Sequence, residues 1–343
     1  MKSSRTFVVS IFLLFGMLRS TGQMHGTLKF AEVYACPGVP PGHLDHMTVE
    51  GFRLFVTPEA ADEVLIFDLR DGKVLHTIRN INTPHAVVYM PDANEFYVTY
   101  QGLSGAPGGL KVFNGKTYAL IKDVKVFPHA DASAYDASTH RIFVDDGGGP
   151  PTLSYGQVSV IDSRQLRVVA TYRIPGAHFK RMAIGPQTAK LYINDVAGNQ
   201  VDVIAAATGM LLAQWRVTSA KLNIPMALDE RQHRLFIGCR SGSIVVLDTR
   251  TGRELQSLSI AKGIDDLIYD PETGRLYASC GAGRGEIDVY QERQGGAGYR
   301  LLERMPSAAG AKTAILSHRF KKYFVAAPAH DRAQARILAY DVQ

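Results

Sequence analysis

A phrase made of a charged residue, an aliphatic residue and an aromatic one, followed by small or β-branched residues, returns along the whole chain. "RLFVTP", "RIFVDD", "KLYIND", "RLFIGC" and "RLYASC" are instances. Its aromatic falls at Phe55, Tyr97, Phe143, Tyr192, Phe236, Tyr277 and Phe324, at spacings of 42, 46, 49, 44, 41 and 47 residues. A second phrase, ending at Asp68, Asn114, Asp162, Ala205, Asp248, Gln291 and Asp341, also occurs seven times. Between the phrases lie short Val-, Ile-, Leu- and Tyr-rich runs split by "DLRDG", "DTRTG", "DPETG" and "DERQH", which read as tight hairpin turns. A period of 40 to 50 residues carrying about four strands is the pattern of a propeller blade. One blade leaves both sheet faces bare, so blades must stack around an axis. The expected fold is all-β: seven four-stranded antiparallel blades in one domain over residues 23–343. "LKFAEVYAC", left over before the first unit, is expected to pair with the last blade and close the ring.

"GRLYASCGAGRGEIDVY", "RLFIGCRSGSIVVLDTRTGRELQSL", "DEVLIFDLRDGKVLHTI" and the run "FYVTYQ" from Phe96 resemble the YVTN repeat of the YncE-like seven-bladed β-propellers. The likeness covers essentially the whole chain beyond residue 22. It implies the propeller fold and, for many members, export from a bacterial cell. Function is left wide by it, since similar rings serve as binding modules, lyases, lactonases, cofactor-protein subunits and surface-layer components. No lyase or lactonase catalytic signature maps onto residues of this chain.

Lys2 and Arg5 precede the apolar run Phe7 to Leu18, and the small residues Ser20 and Gly22 follow, as in a secretory signal peptide ending at residue 22. A periplasmic or secreted location is expected. No later run approaches the ~18 apolar residues of a membrane span, so the expected mature protein is soluble, and a monomer. The formal charge of +6 includes Lys2, Arg5 and Arg19, leaving +3 beyond residue 22, a weak electrostatic footprint for nucleic acid. Three cysteines, Cys36, Cys239 and Cys280, do not make a disulfide framework and read as reduced core residues.

Twelve residues before each repeated aromatic, where the innermost strand of a blade begins, stand His85, Asp131, Lys180, Ile224, Asp265 and Lys312, with His46 as the nearest equivalent in the first blade. Beside them lie His43, Asp45, His129, His178, Arg181, Asn223, Asp266 and Thr313. A ring brings these positions to one mouth, walled on one side by the long loops Tyr100 to Gly109 and Asp145 to Gly156. The expected ligand-binding set is therefore His46, His85, His129, Asp131, His178, Lys180, Arg181, Asn223, Asp265, Asp266 and Lys312. Basic Lys180, Arg181 and Lys312 set against acidic Asp131, Asp265 and Asp266 suit a zwitterionic or carboxylated small molecule, or else pair with one another. Imidazoles of His46, His85 and His129 with Asp131, Asp45 or Asp145 have the donor chemistry for a divalent transition metal, although no HxH or HExxH spacing occurs.

Several chemical look-alikes dissolve on inspection. "GAGRGE", Gly281 to Glu286, lies between strands rather than opening a helix, and "NGKT", Asn114 to Thr117, lacks the upstream glycine of a phosphate loop. No G-x-S-x-G elbow or Cys–His pairing supplies a nucleophile. "SHRFKKYF", Ser317 to Phe324, interleaves basic and aromatic residues but reads as a solvated hairpin on the opposite face. The sequence thus points to an exported propeller that binds a small molecule or protein partner through a polar, His-rich funnel. Its alternatives are a metal-assisted lyase or lactonase with an imidazole base, and a single-stranded nucleic-acid binder.

Overall fold

The computed structural model describes residues 26–145, 155–175 and 178–343, so residues 1–22, expected from sequence to be a signal peptide, and most of the Asp145 to Gly156 loop lie outside the described residues. Seven four-stranded antiparallel sheets follow one another as blades 1 to 7, spanning 44–79, 84–125, 133–175, 179–216, 223–259, 264–306 and 313–342. In blades 1 to 6 the four strands run in sequence order from the axis outward. Blade 7 takes its outer strand from the start of the chain, with Leu28–Ala35 antiparallel to Arg336–Val342. No helix among the described residues is long and apolar enough to cross a membrane.

Burial explains why the strands read as they do. The second strand of each blade is sandwiched on both faces, so Leu54, Phe55 and Val56, or Leu235, Phe236 and Ile237, are fully buried in unbroken apolar runs. Outermost strands face neighbours on one side only and alternate, as in Leu211–Arg216 and Glu254–Ser259. Cys36, Cys239 and Cys280 are buried and unbridged in this packing, and burial pushes the Cys239 thiol up to about 12.

Two recurring contacts join the blades. The first is polar. Two residues beyond the repeated aromatic stand Thr57, Thr99, Asn194 and Ser279 in blades 1, 2, 4 and 6, all fully buried. Thr57 Oγ1 lies 2.7 Å from the His85 carbonyl, Thr99 Oγ1 2.7 Å from that of Asp131, and Asn194 Nδ2 2.9 Å from that of Ile224, in each case in the innermost segment of the next blade. Ser279 reaches the Tyr323 hydroxyl of the next blade at 2.9 Å. Across the junction of blades 7 and 1, Thr313 Oγ1 donates to the Leu44 carbonyl at 2.8 Å. The threonine and asparagine of the repeat therefore satisfy backbone acceptors that bulged inner strands leave open.

The second contact is steric. The glycine closing the turn between third and fourth strands in blades 1, 4 and 5 takes a positive φ, and an aromatic of the preceding blade's outer strand packs onto its bare Cα. A Cβ on Gly72 (φ +69) would sit 2.3 Å from the Tyr34 ring, one on Gly209 2.3 Å from Tyr172, and one on Gly252 2.2 Å from Trp215. Asp68 and Asp248 set up the same turns by accepting from the amides of Arg70 and Arg250.

This contact is testable with two glycines of similar φ. Gly51→Ala (φ +58) places its methyl in open space, whereas Gly72→Ala drives it into Tyr34. Gly51→Ala is expected to cost about 1 kcal/mol for backbone strain, and Gly72→Ala about 1–3 kcal/mol more for overpacking, measured by urea unfolding.

Candidate functional site

A β-bulge places the site. Pairing between first and second strands slips at Leu44/Met47, Pro84/Val87, Phe179/Met182, Asn223/Met226 and Ile264/Asp266, the same place in five blades. Such a slip lets consecutive residues turn toward the axis. Two stacked rings result. Register aligns Asp45, His85, Asp131, Lys180, Ile224, Asp265 and Lys312 as the outer ring, and all seven line one cavity of about 120 Å³. The next residue of each blade forms an inner ring, where only His46, Arg181 and Asp266 carry charge. Blade 1 is two residues short in its first turn, with Glu50 paired to Arg53 where blade 2 pairs Met90 to Glu95, so Asp45 rather than His46 is the equivalent of His85, and His46 belongs one layer deeper.

On the outer ring, acids from blades 1 to 3 surround one imidazole. His85 Nδ1 lies 2.9 Å from Asp45 Oδ2, 3.6 Å from Glu59 Oε1 and 3.8 Å from Asp131 Oδ1. Burial works against a charge on His85, but Asp45, Glu59 and Asp131 outweigh it and raise its pKa to about 10. With both ring nitrogens protonated, Nδ1–H donates to Asp45. The Gln101 amide, 2.7 Å from Nε2, then turns its oxygen inward as the second acceptor. Burial also opposes the charge of Asp45, yet His46 and His85 hold its carboxyl far below the ordinary range.

Cations dominate the other wall. Lys180 Nζ pairs with Asp131 Oδ2 at 2.6 Å and Lys312 Nζ with Asp265 Oδ2 at 2.7 Å, while Arg240 Nη2 holds the other oxygen of Asp265. Burial opposes the charges of Lys180 and Asp265. The paired acid nevertheless raises Lys180, and Lys312 with Arg240 lowers Asp265.

Beneath this layer three groups from blades 1, 4 and 6 meet across the axis. Asp266, almost wholly buried, accepts from Arg181 Nη2 at 2.8 Å, from the Ala314 amide at 2.9 Å and from His46 Nδ1 at 3.3 Å. Burial resists the proton on His46, but Asp45 and Asp266 raise its pKa. Below the bridge runs a chamber of about 430 Å³ walled largely by Val87, Val88, Ile184, Ile268 and Ile315. His46 and Arg181 line both spaces, so the bridge partitions the channel.

Not every candidate gathers here. His43 and His129 are exposed and outside the cavity, and His129 only bridges Gln101 through its backbone. His178 is half-buried behind Lys180, and burial together with that cation lowers its pKa. Asn223 is fully buried with its amide donating to Asn194 Oδ1 and the Gln200 carbonyl, and Thr313 is spent on Leu44, so both hold blades together. Asp145 is buried and caps the Ala132 amide. Sequence reading missed Glu59, Gln101 and Arg240. Each stands four residues beyond its repeated aromatic, at the start of the next loop, a register that points to the same mouth. Among the described residues, Asp45, Glu59 and His85 have ligand atoms within 4.8 Å of one another and form the group that could hold a metal ion. The fit is poor at neutral pH, because a metal must displace the His85 proton that three carboxylates hold.

No family model matches the chain. A 96-residue stretch is 36% identical to a protein named YncE from Salmonella typhi and 35% identical to its namesake from Salmonella typhimurium (strain LT2). That stretch is 27% of this chain and 26% of each relative, so the match spans about a quarter of the relatives' length. A chain in the crystal structure of a mitotic checkpoint complex superposes with a TM-score of 0.73 over 99% of both chains, at 13% identity, a likeness of fold alone. The YncE match and the seven blades together are consistent with the YVTN-repeat propellers.

The raised His85 pKa has a signed consequence for stability. The folded state holds the proton more tightly than the unfolded chain, so the contribution is complete below about pH 6.5 and is lost as pH rises toward 10. Unfolding free energy is expected to fall by roughly a few kcal/mol over that window, and Asp45→Asn to flatten the slope, measured by urea unfolding in steps from pH 6 to 10.

Proposed function

We propose that the protein is an exported propeller module whose polar funnel binds a small zwitterionic molecule. One observation carries the reading: a 120 Å³ cavity receives a side chain from every blade, with Asp45, Glu59 and Asp131 on one wall and Arg181, Arg240 and Lys312 on another. Fixed opposite charges orient a ligand bearing both signs, and the volume suits one of a few heavy atoms, about that of four waters. The propeller fold and the YncE match support an interaction module at the coarser level. Export rests on Lys2, Arg5 and the apolar run that follows.

The ion pairs already present shape the affinity. A ligand carboxylate must compete for Lys312 or Arg240 and an ammonium for Asp131, so binding exchanges one set of pairs for another and gains in selectivity more than strength. A metal-assisted hydrolase at Asp45, Glu59 and His85 would need zinc to evict a proton from His85, and is the weaker reading.

Glycine and β-alanine are direct probes, with acetate and ethylammonium as single-charge controls. The proposal expects saturable calorimetric binding of a zwitterion at pH 7, weakened about tenfold or more by Lys312→Gln and by Asp131→Asn. Equal responses to zwitterions and single-charge controls contradict it. Stoichiometric zinc retained at pH 7 and lost in His85→Ala would favour the metal reading instead.

A further inference from the structure

The residue that opens each repeated phrase, two before the aromatic, sits at the mouth of the groove between its blade and the next. In blade 1 it is Arg53, and the groove to blade 2 is full. Arg53 donates to the Gly115 carbonyl and, at 3.3 Å, to the Tyr89 hydroxyl, with the Tyr118 hydroxyl at 3.4 Å. Its guanidinium carbon lies 5.4, 5.5 and 5.8 Å from the ring centres of Phe55, Tyr89 and Tyr118, and Tyr118 stacks on His76 at 4.7 Å. In the groove between blades 5 and 6, Tyr269 and Tyr299 fill the same space against Phe236.

Between blades 3 and 4 the equivalent guanidinium is kept and the rings are gone. Arg141 stands in the place of Arg53 and Phe143 in that of Phe55. The positions of Tyr89, Tyr118 and His76 hold Ile184, Gly209 and Ala170. The equivalent of the Gly115 carbonyl, that of Ala206, is taken by the Tyr172 hydroxyl at 2.9 Å. Arg141 is left without a side-chain hydrogen bond or ion pair among the described residues. A cleft of about 400 Å³ opens beside it, walled by Phe143, Val160, Val169, Ala170 and Tyr172. Buried Asp136 also lines it, its oxygens already accepting from Ser138 and Thr139.

We infer that the groove between blades 3 and 4 is a second binding site, for a small aromatic carboxylate. The groove between blades 1 and 2 shows the pattern within the same molecule: planar rings packed around a guanidinium that hydrogen-bonds oxygen. A ligand ring lies between Phe143 and the alanine wall, where the absent tyrosines would be, and its carboxylate takes Arg141 in a bidentate pair. The volume is that of an ordinary small-molecule pocket, and apolar walls beside a guanidinium that makes no hydrogen bond among the described residues, with the cross-strand carboxylate of Asp162 near it in register, select for an anionic aromatic. This site is remote in kind from the axial funnel, sharing no lining residue with it, and does not depend on the funnel reading.

4-Hydroxyphenylacetate is the probe, its neutral amide the control, and the full-length protein the target, followed by calorimetry at pH 7. One saturable site is expected, with the amide bound about tenfold or more weakly. Arg141→Gln should reduce acid binding to the level of the amide, and Ala207→Phe, on the exposed rim, should block both without lowering the unfolding temperature by more than a few degrees. Equal affinity for acid and amide, undiminished binding in Arg141→Gln and Ala207→Phe, or no saturable binding up to millimolar probe each overturns the assignment.

Discussion

The molecule depends on one constraint: an inner strand that bulges toward the axis exposes backbone carbonyls, and the preceding blade must satisfy them. Thr57, Thr99 and Asn194 do so, each from two residues beyond the aromatic of its own blade. An unpaired buried carbonyl costs about 1–3 kcal/mol, so the same slip repeated in five blades is tolerable only with repeated partners. Where the repeat has lost its polar residue, at Gly238 and Ala326, other contacts serve. Pro225 packs within 2.5 Å of where a Gly238 Cβ would stand, and Thr313 donates from blade 7 to Leu44. The latch and the site are thus one device, since the carbonyls held are those of His46, His85, Asp131 and Ile224, members of the two axial rings.

That coupling explains why so much charge survives near the axis. Four carboxylates, four lysine or arginine cations and the His85 imidazolium share a space too small to hydrate each one freely. Pairing makes them tolerable, and placement on seven separate strands makes the pairs long-range in sequence: Arg181 with Asp266, His46 with Asp266 and Lys180 with Asp131. Such a network favours a single register of the ring, because a slip by one residue would bury unpaired charge.

The fold was legible because its signal is periodic. Seven aromatics at nearly equal spacing, with turn residues between them, leave little besides a propeller. The site was legible in outline for the same reason, and His85, Asp131, Lys180, Asp265 and Lys312 were found by counting back from the aromatics. Counting failed where the spacing changes. Two missing turn residues in blade 1 put His46 forward as the nearest equivalent and left Asp45, the partner of His85, as its neighbour rather than as the ring member. Side-chain direction was also invisible: Asn223 follows the repeat but turns into the blade, and His129 is near in sequence yet faces solvent. Glu59, Gln101 and Arg240 escaped because loops carry no apolar rhythm.

The central claim, that blades distant in sequence converge their charges on one mouth, is read most directly at His85. Its imidazole can be followed by carbon–proton NMR of the ring from pH 5 to 10.5, with His85→Gln to assign the signal. Convergence of Asp45, Glu59 and Asp131 predicts an imidazolium that stays protonated through pH 8 and titrates near 10. A midpoint near the ordinary value of about 6.5 would contradict the account.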